Sequence, residues 1–202
     1  MVRPGRERLR GMVEVDESYL GAPDAGKSGR QPGRKTLIVA AVECVGARQL
    51  GRIRLRQVRA ASAVQLESFI ADAVEPGVTV RTDDWSGYRG LAAKGYEHRP
   101  TPMRSPSKST AVVLPRVHRV AARLKRWLLG PHQGVVRPGH LDYYLDEFTF
   151  RLNRRTSRSR GKLFYRLLEQ AVQMGPTAYK EMIGGKPLEV PNPQHVVGTV
   201  VN

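Results

Sequence analysis

Met12-Val-Glu-Val-Asp16-Glu-Ser-Tyr-Leu20 has the β-branched content of a strand, yet it carries carboxylates in its middle. An isolated carboxylate inside an apolar strand is costly to bury, which sets Asp16 apart. Gly21–Lys35, rich in Gly, Pro and basic residues, reads as a loop or flexible connection. Thr36–Val42 is continuously apolar, as a strand covered on both faces is. Gly51–Val58 alternates Ile53 and Leu55 with Arg52, Arg54 and Arg56, the pattern of a strand with one wet face. Three strands in a row without a helix between them predict an antiparallel meander.

The period then changes. Ser62 followed by Gln65 reads as a capping box, and Leu66, Phe69, Ile70 and Ala73 continue at helical spacing to Val74. Val78–Asp83 is a further short strand, and Glu97–Ser109, with its prolines, reads as a loop. Pro115 opens a helix to about Leu129, its ring setting φ where no internal hydrogen bond is lost. Leu141, Tyr144, Leu145, Phe148 and Leu152 mark another amphipathic helix, and Leu163, Phe164, Leu167, Leu168 and Ala171 the next. The order β-β-β-α-β-loop-α-α-α predicts an α/β fold, a mixed sheet with helices packed on it.

The 202 residues suit one domain of ordinary size. Apolar runs such as Leu37–Val42 are far short of the ~20 residues of a membrane span, and Met1–Arg10 leads into no apolar signal segment. The single cysteine, Cys44, excludes an internal disulfide framework and a multi-cysteine zinc site. A cytoplasmic location is expected. Lys and Arg total 34 against 18 Asp and Glu, for a net charge of +16, and 26 of the basic residues are Arg. Arg's planar fork matches phosphate oxygens in pairs, so the excess points to a polyanion, nucleic acid first. A solvated basic surface is the plainer alternative.

Gly21-Ala-Pro-Asp-Ala-Gly26-Lys27-Ser28 fits the pattern of a P-loop. The chemistry needs a helix starting at Lys27–Ser28, and Gly29-Arg-Gln-Pro32-Gly33 cannot make one, so nucleotide binding is not expected. Asp16 and Asp83 are better placed. Asp83 ends a different strand, at the end where α/β sheets usually hold ligands. Two carboxylates at neighbouring strand positions repel unless something positive sits between them, and a divalent cation with oxygen preference answers that. For each aspartate alone, a cap, a turn or an ion pair with arginine is an alternative. His118 lies 35 residues after Asp83, and Lys125 is seven further on, which at 3.6 residues per turn puts both on nearly one helix face. Arg119, Arg123 and Arg126 form a neighbouring stripe, and Trp127 is placed to anchor the helix.

Four blocks carry a resemblance. Val13-Glu-Val-Asp16-Glu-Ser-Tyr-Leu-Gly, Thr82-Asp83-Asp-Trp85-Ser-Gly87-Tyr88, Val117-His118-Arg-Val-Ala-Ala-Arg-Leu-Lys125-Arg-Trp127-Leu-Leu-Gly130 and Tyr144-Leu-Asp-Glu-Phe148-Thr-Phe-Arg-Leu-Asn153-Arg-Arg resemble, in this order, a bacterial insertion-sequence transposase. The group is the ISXO-like transposase domain of the DDE superfamily, and the resemblance spans roughly residues 11–173. It implies a ribonuclease-H-like fold, a mixed five-strand-type sheet flanked by helices with extra C-terminal helices. The division expected is a basic N-terminal segment 1–10, a catalytic domain 11–175 and a tail 176–202.

The resemblance also implies metal-dependent cleavage and strand transfer of double-stranded DNA bearing terminal inverted repeats, with target DNA as second substrate. Carried over by position, Asp16, Asp83 and His118 are metal ligands, and Lys125 is a phosphate contact. Asp84 competes for the second place, but the Thr-Asp-x-Trp pattern favours Asp83. Lys125, Arg119, Arg123, Arg126, Arg154 and Arg155 are the expected nucleic-acid contacts. Mg²⁺ is the expected cofactor, with Mn²⁺ the better support if the softer His118 ligates. Synapsis of two element ends implies a homo-oligomer. Relatives usually carry a DNA-recognition region, often zinc-ribbon-like, before the catalytic domain; about ten residues precede the first strand here, so either end recognition is expected from elsewhere or the chain is expected to be a truncated copy. A catalytically inactive or domesticated remnant that binds DNA is the alternative, and a structure-specific nuclease on the same fold is a third reading.

Overall fold

The computed structural model describes residues 6–21, 35–46, 49–101, 113–132 and 138–173. The P-loop-like stretch beyond Gly21 and the tail 176–202 lie outside them. The elements are β1 (Met12–Leu20), β2 (Thr36–Val45), β3 (Gln49–Val58), α1 (Ala63–Ala73), β4 (Thr79–Asp83), a 3₁₀ segment Ser86–Lys94, β5 (Glu97–Thr101), α2 (Pro115–Leu129), α3 (Leu141–Asn153) and α4 (Arg160–Val172). One five-stranded sheet has the order β3-β2-β1-β4-β5. β1, β2 and β3 pair antiparallel, whereas β4 runs parallel to β1 and β5 parallel to β4. This is the mixed, ribonuclease-H-like sheet that the resemblance implies.

The apolar run of β2 follows from its place. Leu37, Val39 and Ala41 face Leu66, Phe69 and Ile70 of α1, and Ile38, Ala40 and Val42 face Val117, Val120 and Leu124 of α2. The sheet is therefore covered on both sides, and each fully buried Leu, Ile or Phe contributes about 1.5–3 kcal/mol. Trp127 does anchor α2: it packs on the second core, its ring 5.6 Å from that of Phe148. α3 lies along β3, a sheet edge. The Asn153 side chain accepts from the Ile53 N–H at 2.7 Å and donates to the Ile53 carbonyl at 3.2 Å, closing that edge as a neighbouring strand would.

Three expectations are corrected. Glu97–Ser109 is not loop throughout, because Glu97–Thr101 is β5. Pro100 fits there since β5 is an edge strand, where a missing N–H costs no ladder bond on the open side. The capping box is not formed: Ser62 makes no side-chain cap, and Gln65 instead accepts from the N–H groups of Arg59 and Ala60. The arginine face of β3 is not simply wet. Arg54 is buried and donates to the Glu7 carbonyl, because residues 6–9 lie across it on their way to a bridge between Leu9 and Val74.

Candidate active site

β1 alternates, so Glu14 and Asp16 share the face that α2 covers, while Val13 and Val15 enter the core under α1. Glu14 is wholly buried. Its carboxylate accepts from the N–H groups of Arg116 (2.7 Å) and Val117 (3.1 Å) and from the Arg116 guanidinium (2.9 Å). A carboxylate at a helix N-terminus satisfies open donors and matches the helix dipole. Arg116 also donates to the carbonyls of Gly46 and Gln49, tying the start of α2 to the β2–β3 turn. His118, two residues on, is thereby held over Asp16.

β1 pairs with β4 in parallel register as far as Glu14 beside Arg81. Two residues further along both strands stand Asp16 and Asp83, side by side on one face. Asp16 Oδ1 accepts from the Glu17 N–H at 2.9 Å, which fixes its carboxylate, and Oδ2 lies 3.4 Å from His118 Nε2. Asp83 is 6% exposed and accepts from the Trp85 N–H at 3.2 Å. Trp85 in turn donates to the Ala61 carbonyl. Gly87 fits this turn for want of space: a Cβ would come within 2.9 Å of Leu66 and of the Trp85 ring.

Oxygens of Asp16, Glu17 and Asp83 lie within 4.8 Å of one another. At that distance two carboxylates repel by about 3 kcal/mol at an effective dielectric constant of ~20. An octahedral Mg²⁺, with bonds of about 2.1 Å, spans oxygens up to about 4.2 Å apart, so small side-chain rotations suffice for a shared ion. The donors are all hard oxygens, and the set fits a divalent cation. His118 stands at the rim of this set, close to Asp16. Burial lowers its pKa, Lys125 lowers it further, and Glu14 and Asp83 oppose them only in part. Its imidazole is therefore neutral near pH 7, the form that can ligate or accept a proton.

The remaining expected contacts divide among three places. Lys125 is exposed two turns along α2 from His118, and Arg126 is exposed on the same helix. Arg119, Arg123 and Arg155 line an open groove of about 620 Å³ on the other flank of α2, with Gln49, Asn153 and Thr156. Arg155 also donates to the carbonyls of Leu50 and Leu152. Arg154 lies 4.0 Å over the Phe150 ring and lines a separate recess with Arg6, Arg54 and Asp146.

The sequence reading passed over Glu14, Arg116, Glu17 and Tyr88. The alternation Val-Glu-Val-Asp marks Glu14 as sharing a face with Asp16. No such signal marks Glu17, which period two assigns to the opposite face, yet an oxygen of its carboxylate lies within 4.8 Å of oxygens of both aspartates. Tyr88 is wholly buried beside it. Burial first, then Glu17, Asp16 and Asp83, hold its phenol well above the ordinary pKa, so it stays protonated.

A family model for the ISXO2-like transposase domain matches residues 8–153, from just ahead of β1 to the end of α3. The chain belongs to that family. It is an insertion-sequence transposase domain of the DDE superfamily, and α4 lies beyond the matched span. A search of curated proteins finds no match. Among solved structures the transposase domain is similar to a chain of the simian T-cell lymphotropic virus intasome in complex with PP2A regulatory subunit B56 gamma. The two are 13% identical with a TM-score of 0.47, over 79% of this chain and 55% of that one. It is also similar to the catalytic core domain of BIV integrase, at 18% identity and a TM-score of 0.44, over 80% of this chain and 95% of that one. The chain thus spans about half the length of the intasome chain. No helix among the described residues is long and apolar enough to cross a membrane.

Proposed function

We propose that residues 11–175 are the catalytic domain of a DDE-type transposase that cleaves DNA at the ends of an insertion sequence and joins them to target DNA. The observation that carries this reading is the meeting of Asp16 and Asp83 from adjacent strands, with His118 Nε2 3.4 Å from Asp16 Oδ2. Asp16 and Asp83 would hold divalent cations, Mg²⁺ or Mn²⁺, which supply Lewis-acid activation of the attacking oxygen and stabilise charge on the leaving one. Asp16 enters the reaction already oriented by the Glu17 N–H. His118, neutral, offers Nε2 to a cation or to the proton of the attacking water or 3′-hydroxyl. Lys125 gives the scissile phosphate a point charge. Arg119, Arg123, Arg126, Arg154 and Arg155 hold the DNA backbone, and synapsis of two ends requires a homo-oligomer.

The test is a plasmid carrying candidate inverted repeats, incubated with the chain and Mg²⁺ or Mn²⁺. Cleavage and strand transfer are expected from the natural sequence. Asp16→Asn and Asp83→Asn should each lower strand transfer at least a thousandfold, with DNA affinity by gel shift within about twofold. Full activity in Asp16→Asn refutes the assignment. Cleavage without transfer selects the nuclease reading, and binding without either selects the inactive remnant.

A further inference from the structure

We propose that Glu17 is a third carboxylate ligand of the cation site, positioned by the Tyr88 hydroxyl. The inference rests on the reading of Asp16 and Asp83 as cation ligands and adds a donor that their pattern does not include. An oxygen of Glu17 lies within 4.8 Å of oxygens of both Asp16 and Asp83. His118 reaches Asp16 but stands outside this set, and an imidazole that ligates a cation does so through an uncharged nitrogen. A hard divalent cation prefers oxygen and needs its charge balanced. Within the set, only Glu17 adds a third negative oxygen.

A second observation is independent of the three carboxylates. Tyr88 is 0% exposed, and its hydroxyl closes no hydrogen bond of ordinary geometry. It is turned toward Glu17, with Asp16 and Asp83 also near. A buried hydroxyl aimed at a ligating carboxylate orients that ligand and steadies its charge, as supporting groups around metal sites do. The 3₁₀ segment Ser86–Lys94 delivers Tyr88 from the turn that Asp83 itself begins, so one stretch of chain supplies a ligand and the support for another.

The experiment titrates Mn²⁺ alone, without DNA, into the full chain and its variants by calorimetry, with melting followed in parallel. Asp16→Asn should weaken Mn²⁺ binding at least thirtyfold, which tests the underlying site. Glu17→Gln, which keeps the volume and an acceptor for Tyr88, should weaken it at least tenfold without lowering the metal-free melting temperature. Unchanged Mn²⁺ affinity in Glu17→Gln, with loss in Asp16→Asn, overturns the role of Glu17 and leaves the aspartate site standing. Undiminished binding in Asp16→Asn, or no Mn²⁺ uptake by the natural chain, overturns both. If Glu17→Gln does not fold, carbodiimide labelling of the natural chain decides. Mn²⁺ should protect Glu17 together with Asp16, and continued labelling of Glu17 while Asp16 is protected refutes the proposal.

Discussion

At the scale of single residues, charges buried for different reasons behave in opposite ways. Glu14 is wholly buried but receives three hydrogen bonds from Arg116 and Val117. Removing its charge leaves the buried Arg116 guanidinium its carbonyl contacts to Gly46 and Gln49 but no carboxylate, and breaking one side of a buried ion pair costs about 3 kcal/mol or more. Glu14→Gln is therefore expected to lower the free energy of unfolding by about 3 kcal/mol in denaturant melts, although no catalytic group is touched. Asp146 is the contrary case. Burial raises its carboxyl to about 6 against the opposing charge of Arg6. Its folded pKa lies above the unfolded value, so its contribution is most favourable at acid pH and is lost as pH rises through about 4 to 6. Asp146→Asn should accordingly gain about 1–2 kcal/mol over the natural chain between pH 4 and pH 7.5. An equal difference at both pH values would disprove that account.

Among the elements, those that the local pattern defines and those that pairing defines separate cleanly. α2 runs from Pro115 to Leu129 as its opening proline predicts, and β2 is as apolar as two covered faces require. β5 escaped because Glu-His-Arg-Pro-Thr has no strand-like content; only its neighbour β4 makes it a strand. α3 has a task that helix periodicity does not encode. Its last residue, Asn153, holds both backbone groups of Ile53 on the open edge of β3. Losing two such bonds at a partly buried edge costs about 1–3 kcal/mol. Asn153→Ala should lower stability by that amount and speed amide exchange at Ile53 at least tenfold. Unaltered exchange at that amide would mean that α3 does not guard the edge.

Over the whole molecule, the charge of +16 is unevenly spent. Arg54 and Arg116 are buried and bound to backbone carbonyls, so they add to the count without adding to a DNA surface. Arg119 and Arg123 instead share an open groove on the flank of α2 away from His118. Each phosphate contact contributes a slope of about −0.9 to log K against log salt concentration. The double variant Arg119→Ala/Arg123→Ala should thus flatten the salt dependence of duplex binding by about 1–2 units. An unchanged slope in a salt-series gel shift would assign those arginines to another role.

What the amino-acid order alone settled was local and periodic. β-branched content, an apolar run, period two, period 3.6 and a helix-opening proline located four of the five strands and the four α-helices of the described residues, and four ordered blocks pointed to the family and, through it, to Asp16, Asp83 and His118. What only the tertiary structure decided was which distant groups meet. Glu14 finds Arg116 102 positions away, and Asn153 finds Ile53 across 100. Glu17 joins the aspartates although period two assigns it to the other face, and whether an arginine faces solvent or a carbonyl depends on the chain crossing above it. Such choices follow from sheet register and packing, which couple residues remote in the chain and leave no period along it to read.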